Sequence, residues 1–190
     1  MNKNAIKTTL SLTIICVFAA LFLGIVNHIT APVIAARQEA DRAQKRQEVM
    51  AEADRFEPIE NISDYDASGM VREGYIAMVG DEAIGYVFDV VSDSGFGGPI
   101  AVTVGVTNDL IFSGLRVGDN SETAGLGSRA AEPAFYDQFV EKSGDPALTV
   151  NGSSANNIDG ITSATITSSA VTGAAQSAWN TAQAIQEEGA

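Results

Sequence analysis

From Thr8 to Ile29 the chain has no charged side chain (His28 counted neutral), and Leu10 to Val26 is almost continuously apolar. At a rise of about 1.5 Å per residue, a helix of that length crosses the ~30 Å hydrocarbon core of a bilayer. Lys3 and Lys7 precede the run and Thr30-Ala31-Pro32 is expected to close it. The two lysines predict a cytoplasmic start and an extracytoplasmic remainder. Arg37, Arg42, Lys45 and Arg46 follow, but they are interleaved with Glu39, Asp41 and Glu48, and a globular domain translocates largely regardless of its charge. A cleaved signal peptide competes, with Ile34-Ala35-Ala36 as a loose cleavage site. The apolar run is longer than a usual signal core, which favours a retained anchor. Cys16 lies within the run and reads as an ordinary apolar helix residue.

The remainder has little chemistry of its own. Cys16 is the only cysteine and His28 the only histidine, so the region beyond the anchor has no disulfide, thiolate metal site or cysteine nucleophile, and Ser-His-Asp hydrolysis and histidine-ligated metals are nearly excluded. A net charge of −13 argues against nucleic-acid or anionic-membrane binding by the soluble part. Carboxylates, hydroxyls or a bound cofactor remain.

Val33 to Phe56 is dominated by Ala, Arg, Gln and Glu and reads as a helical stalk of which only the last turns dock on a core. Strands are expected over Tyr75–Val79, Ala83–Val91, Ile100–Val106 and Leu110–Val117, with short turns that favour antiparallel neighbours. Val102, Val104 and Val106 alternate with Thr103, Gly105 and Thr107, the pattern of a sheet with one packed and one partly polar face. Glu132–Lys142 reads as a short amphipathic helix presenting Phe135, Phe139 and Val140. A last helix is expected from about Ser168 or Ser169 to Glu187, packed closely through its small residues around Trp179, which is assigned to the core or its rim. The fold class is α+β, with an anchor over 1–30, a stalk over 31–56 and one domain over 57–190.

Three segments stand out. Asp159-Gly160-Ile161-Thr162-Ser163-Ala164-Thr165-Ile166-Thr167-Ser168 is rich in hydroxyls. By composition a capped loop is the favoured reading, although such a run is also a place where donors approach a phosphate or where one hydroxyl is esterified. Asp119 to Gly127 contains Glu122-Thr123-Ala124-Gly125-Leu126-Gly127, by itself an ordinary turn. Ser94-Gly95-Phe96-Gly97-Gly98-Pro99-Ile100 is likewise explained by a tight turn before a strand.

The first segment resembles the Asp-x-x-(Ser/Thr)-Gly-Ala-Thr-x-(Ser/Thr) pattern of domains that carry FMN as a phosphoester on threonine. Asp159, Thr162, Ala164, Thr165 and Thr167 are in register, and Ser163 stands where the pattern has Gly, a residue that tolerates backbone angles serine resists. The second resembles the Glu-Thr-Pro-Gly-Leu-Gly loop of the same family, with Ala124 for Pro. The third is similar to its Gly-aromatic-Gly-Gly turn. Length and layout together are similar to the G subunits of Rnf complexes, membrane-bound ferredoxin:NAD oxidoreductases that couple electron transfer to sodium or proton translocation. The C subunits of sodium-translocating NADH:quinone oxidoreductases share the pattern.

The resemblance implies that Thr165 is the covalent attachment residue for FMN, a modified tether and not a catalytic nucleophile. Asp159 is implied as a recognition residue for the flavin transferase that matures the protein. Thr162, Ser163, Ala164 and Thr167 would surround the phosphate, and Glu122, Thr123, Gly125, Leu126 and Gly127 would contact the flavin. A carboxylate such as Glu122 near the ring disfavours a negatively charged reduced flavin, whereas loop amides favour it; the residues alone leave this open. The implied partners are the other Rnf subunits, the transferase and the membrane. The implied place is the cytoplasmic membrane, with the FMN domain on its outer side. A pilin-like structural protein and a non-covalent extracytoplasmic flavin-binding domain stand as alternatives.

Overall fold

The computed structural model describes residues 3–189. It begins with a single 47-residue helix, α1 (Lys3–Val49), which runs through Pro32. The expected closure at Thr30-Ala31-Pro32 does not occur. Proline forfeits one bond to the carbonyl four residues back, a cost of about 3 kcal/mol. Strong helix formers on both sides, including Ala31, Ala35 and Ala36, hold the helix, and the Thr30 hydroxyl donates to the Val26 carbonyl at 2.9 Å. Large apolar side chains along α1, from Leu10 to Ile34, are exposed. The segment Thr9–Val49 contains a window of mean hydropathy 2.6 and is, by length and composition, a candidate membrane span. The chain divides into two compact units between Asp41 and Arg42.

The second unit is built on a five-stranded antiparallel meander in the order β1-β2-β3-β4-β5: β1 (Arg55–Pro58), β2 (Val71–Val79), β3 (Glu82–Ser92), β4 (Ile100–Thr107) and β5 (Phe112–Val117). The stalk helix expected to reach Phe56 ends instead at Val49, and Arg55–Pro58 pairs with β2 from Met78 to Tyr75. With one large apolar residue, Phe56, and a terminal proline, this is an edge strand, the position that tolerates proline.

Alternation on the strands gives the sheet two faces. Phe88, Val90, Val102, Val104 and Val106 belong to the main core, which includes Val171, Ala174, Ala175 and Ala178 of α3 (Thr165–Gly189). The other face is packed as well: Val49, Met50 and Ala53 close over Ala77 and Val87. Gly105 makes this approach possible, because a Cβ there would meet the Ser113 hydroxyl and the Val49 carbonyl. The polar residues of this face are used. Arg46 donates to Asp89 at 2.8 Å and to the Tyr75 hydroxyl at 3.1 Å, and the Thr103 hydroxyl donates to the other Asp89 oxygen at 2.7 Å. The Arg46 guanidinium also lies over the Tyr75 ring, 4.4 Å from its centroid. The Tyr75 hydroxyl donates to Glu73. Burial raises the Asp89 pKa, although Thr103 and Arg46 pull against it. Burial and the bond to Glu73 likewise raise Tyr75.

Between β5 and α3 the chain makes short 3-10 turns around α2 (Pro133–Tyr136) in place of the helix expected over Glu132–Lys142. Phe135 and Phe139 are buried as expected, but Val140 is exposed because the chain has left the helix before it. Two short parallel strands, β6 (Thr149–Val150) and β7 (Asn157–Ile158), lead into α3. Trp179 is structural: it is 6% exposed, its ring faces Gly144, and its indole N–H donates to the Leu110 carbonyl at 2.7 Å.

Candidate functional site

The hydroxyl-rich segment forms the start of α3, which begins at Thr165 and not at Ser168 or Ser169. The Ser168 amide donates to the Ala164 carbonyl at 3.0 Å, so Ala164 occupies the cap position and Thr165 is the first helical residue. Alanine offers no capping oxygen. Ser168 compensates from inside: its fully buried hydroxyl accepts from the Ile161 amide and donates to the Ala164 carbonyl, both at 2.9 Å. Ser168→Ala is expected to strand the Ile161 amide and cost about 1–3 kcal/mol, read as a lower denaturation midpoint.

Ser163 adopts φ +65°, the left-handed region that glycine tolerates and other residues enter only with strain. The turn that presents Thr165 therefore keeps a glycine-like angle with a serine in it. Ser163→Gly is expected to raise the denaturation midpoint slightly, by about 0.5–1 kcal/mol of stability, because the relief of strain outweighs the extra chain entropy of glycine.

The hydroxyls of the segment have separate fates. Thr162, Ser163 and Thr165 are exposed, and the Thr165 hydroxyl has no hydrogen-bond partner among the described residues. Thr167 is 1% exposed and donates to the Glu122 carboxylate at 2.7 Å. The second Glu122 oxygen accepts the Gly97 amide at 2.9 Å. One carboxylate thus fastens the three segments together. The approach is close: a Cβ on Gly127 would meet Glu122 and Thr167, and one on Gly97 would meet the Ser121 carbonyl.

The result is a cavity of about 350 Å³ lined by Phe96, Glu122, Thr123, Leu126, Gly127 and residues Ser163 to Thr167. Its apolar side chains are unusually open, with Phe96 68%, Ile166 54% and Leu126 41% exposed. Gly125, with φ +75°, shapes the loop and is not part of the wall. Asp159 and Thr162 lie elsewhere, on a neighbouring groove with Arg129, Glu132 and Gln138. There the Gln138 amide bonds both ways to the Asp159 backbone, accepting from its N–H at 2.8 Å and donating to its carbonyl at 3.2 Å. Asn157 donates to the Asp159 carboxylate at 3.0 Å.

Residues 95–180, a span that takes in the three segments apart from Ser94, match the FMN-binding domain family. The G subunit of the proton-translocating ferredoxin:NAD(+) oxidoreductase complex of Clostridium ljungdahlii is 34% identical over 90% of this chain and 88% of that protein. The chain belongs to the G-subunit family of ion-translocating ferredoxin:NAD(+) oxidoreductase complexes. The G subunit of the Na(+)-translocating complex of Acetobacterium woodii is 32% identical over 90% of this chain and 87% of its own length. Among solved structures, the C subunit of the Na(+)-translocating NADH-quinone reductase of Parabacteroides distasonis shares the fold, with a TM-score of 0.54 and 17% identity over 77% of this chain and 94% of that one. Membership in the G-subunit family decides against the pilin-like alternative.

The residues of this G-subunit chain fit a flavin. Its cavity has open apolar walls suited to a planar ring, an exposed hydroxyl on its rim, and the first turn of a 25-residue helix, whose leading amides lack intrahelical partners and favour an anion. No motif marks Ile166. It is found only once the helix start is placed, since it then projects beside Thr165 at the cavity edge.

Proposed function

We propose that the chain is the electron-transfer subunit of a membrane-bound, ion-translocating ferredoxin:NAD oxidoreductase and that it carries FMN as a phosphoester on Thr165. The observation that carries the residue assignment is the contrast in the first helical turn. Thr165 is open on the cavity rim, while Thr167 is buried and committed to Glu122. A modifying enzyme can reach the first and not the second.

Attachment is assigned to a separate flavin transferase using FAD and a divalent metal. The Thr165 oxygen bonds the phosphorus on the ribityl side, the phosphoanhydride bond breaks, AMP leaves, and the hydroxyl proton passes to a base of the transferase. Asp159, exposed and held by Gln138 and Asn157, is the residue the transferase recognises. Thr165 then serves as the tether, with the leading amides of α3 directed at the remaining phosphate charge. Phe96, Leu126 and Ile166 exclude water from the ring, and Glu122 keeps the loop shut. Bound FMN supplies one- and two-electron redox chemistry, and the protein positions and tunes it. Electrons enter and leave through neighbouring subunits, so the isolated chain turns over no soluble substrate. The anchor holds the domain at the membrane, and Lys3 and Lys7 favour an extracytoplasmic FMN domain.

Peptide mass analysis of residues 159–180 after co-production with a flavin transferase tests the assignment. The mass of one FMN phosphoester is expected on Thr165. A flavin that leaves on denaturation would establish the non-covalent alternative, and a modification on Thr162 or Thr167 would move the tether.

A further inference from the structure

Thr165 and Ile166 do not border one cavity only. On their other side lies a second groove of about 460 Å³, lined by Met70, Ser92, Ser94, Ser169, Ala170 and Gly173 as well as by Thr165 and Ile166. The tether residue therefore stands on a ridge between two hollows, with the half-exposed Ile166 side chain beside it.

Gly173 is the notable residue of the second groove. It lies in the interior of a 25-residue helix, where glycine costs roughly 1 kcal/mol relative to alanine. A Cβ built on it meets nothing within 4 Å, and its φ is not in the positive range. Neither packing nor backbone conformation calls for glycine there. Its effect is to lower the floor of the groove and let a flat group approach the helix backbone.

We propose that this groove is a second seat for the isoalloxazine ring, so that a flavin tethered at Thr165 exchanges between two positions on the same domain. The inference rests on the assignment of FMN to Thr165. Tethering decides the occupant: a group held through a short flexible linker reaches an adjacent hollow at an effective concentration in the millimolar range, which an untethered apolar solute does not match. The chemistry suits a ring, since Met70, Ile166 and Ala170 offer apolar contact and a methionine sulfur favours an aromatic partner. The two seats differ in surroundings. The first holds the Glu122 carboxylate, whereas the residues of the second are uncharged.

Two single-cysteine variants of the full chain in detergent, each in a Cys16→Ser background, measure occupancy directly. Ser169→Cys, an exposed and nearly isosteric replacement on the wall, reports on the second groove and Leu126→Cys on the first. The rate of maleimide labelling is compared between protein made with and without the flavin transferase, and fluorescence of the denatured band verifies the tether independently. Flavin attachment is expected to slow labelling at both positions, each by about 1.2- to fivefold, with the two occupancies summing to about one. An unchanged rate at Ser169→Cys overturns the second seat, whatever Leu126→Cys does. A loss beyond about a hundredfold at Ser169→Cys also overturns exchange, because the ring would then reside in that groove alone. Absence of a covalent band in both variants and in the Cys16→Ser parent refutes the Thr165 assignment on which the inference rests.

Discussion

Thr165→Ala is expected to remove all flavin fluorescence from the denatured polypeptide after co-production with a flavin transferase, a loss of at least about a hundredfold, and to leave the fold intact. Alanine is the best helix former, Thr165 is the exposed first residue of α3, and its hydroxyl supports no hydrogen bond among the described residues. The substitution therefore removes the nucleophilic oxygen and, beside it, only the γ-methyl of an exposed residue. Thr167→Ala is the matched control. It breaks a half-buried bond to a carboxylate and is expected to cost about 1.5–3 kcal/mol of stability, but the flavin band persists. The reverse outcome, a fluorescent Thr165→Ala band and a dark Thr167→Ala band, would transfer the tether two residues along the helix.

The second large effect concerns the other face of the sheet. Arg46→Met is expected to destabilise the protein by about 3–5 kcal/mol at neutral pH, because it leaves the Asp89 carboxylate buried without its cation. Asp89 is 8% exposed and already has a raised pKa through burial, and losing Arg46 raises it further. An acid whose folded pKa exceeds its unfolded value contributes stability that is present below the unfolded pKa and lost as pH rises through the folded one. The deficit of Arg46→Met should therefore shrink as the pH is lowered and Asp89 binds its proton. Thermal melts of the full chain in detergent from about pH 8 down to about pH 4 check both the size and the slope. A deficit that grows on acidification would show that the pair is not what the substitution removes. Replacing both residues together, as Arg46→Met with Asp89→Leu, is expected to recover much of the loss, since a buried pair exchanged for apolar groups is often neutral.

The sheet is readable in the sequence because its strands alternate strictly: Val102, Val104 and Val106 announce one buried face, and short turns leave little choice of topology. The intervening Thr103 and Gly105 read as a partly polar face, and their use is visible only when Arg46 and Val49 arrive from a distant part of the chain. Edge strand β1 is hidden by its composition, with Phe56 alone between charged residues and Pro58. The start of α3 departs from expectation for a physical reason. Thr and Ser favour loops because their hydroxyls compete for backbone groups, yet here the buried Ser168 hydroxyl satisfies the turn from inside and allows the helix to begin three residues early. The candidate site is legible as three segments, since Glu122, Thr165 and Phe96 each sit in a recognisable pattern. Which hydroxyl is open and which is spent is not, because exposure of Thr165 against burial of Thr167 follows from helical phase.

The clasp made by Glu122 has a consequence for the order of assembly. Both its oxygens are satisfied by the protein itself, from Gly97 and Thr167, so the walls of the cavity stand without any contribution from the cofactor. A hollow finished in advance asks little of its occupant for ordering the loops around it. On the proposed attachment at Thr165, maturation then follows folding: the polypeptide completes its core first, and the pigment is added to a finished vessel.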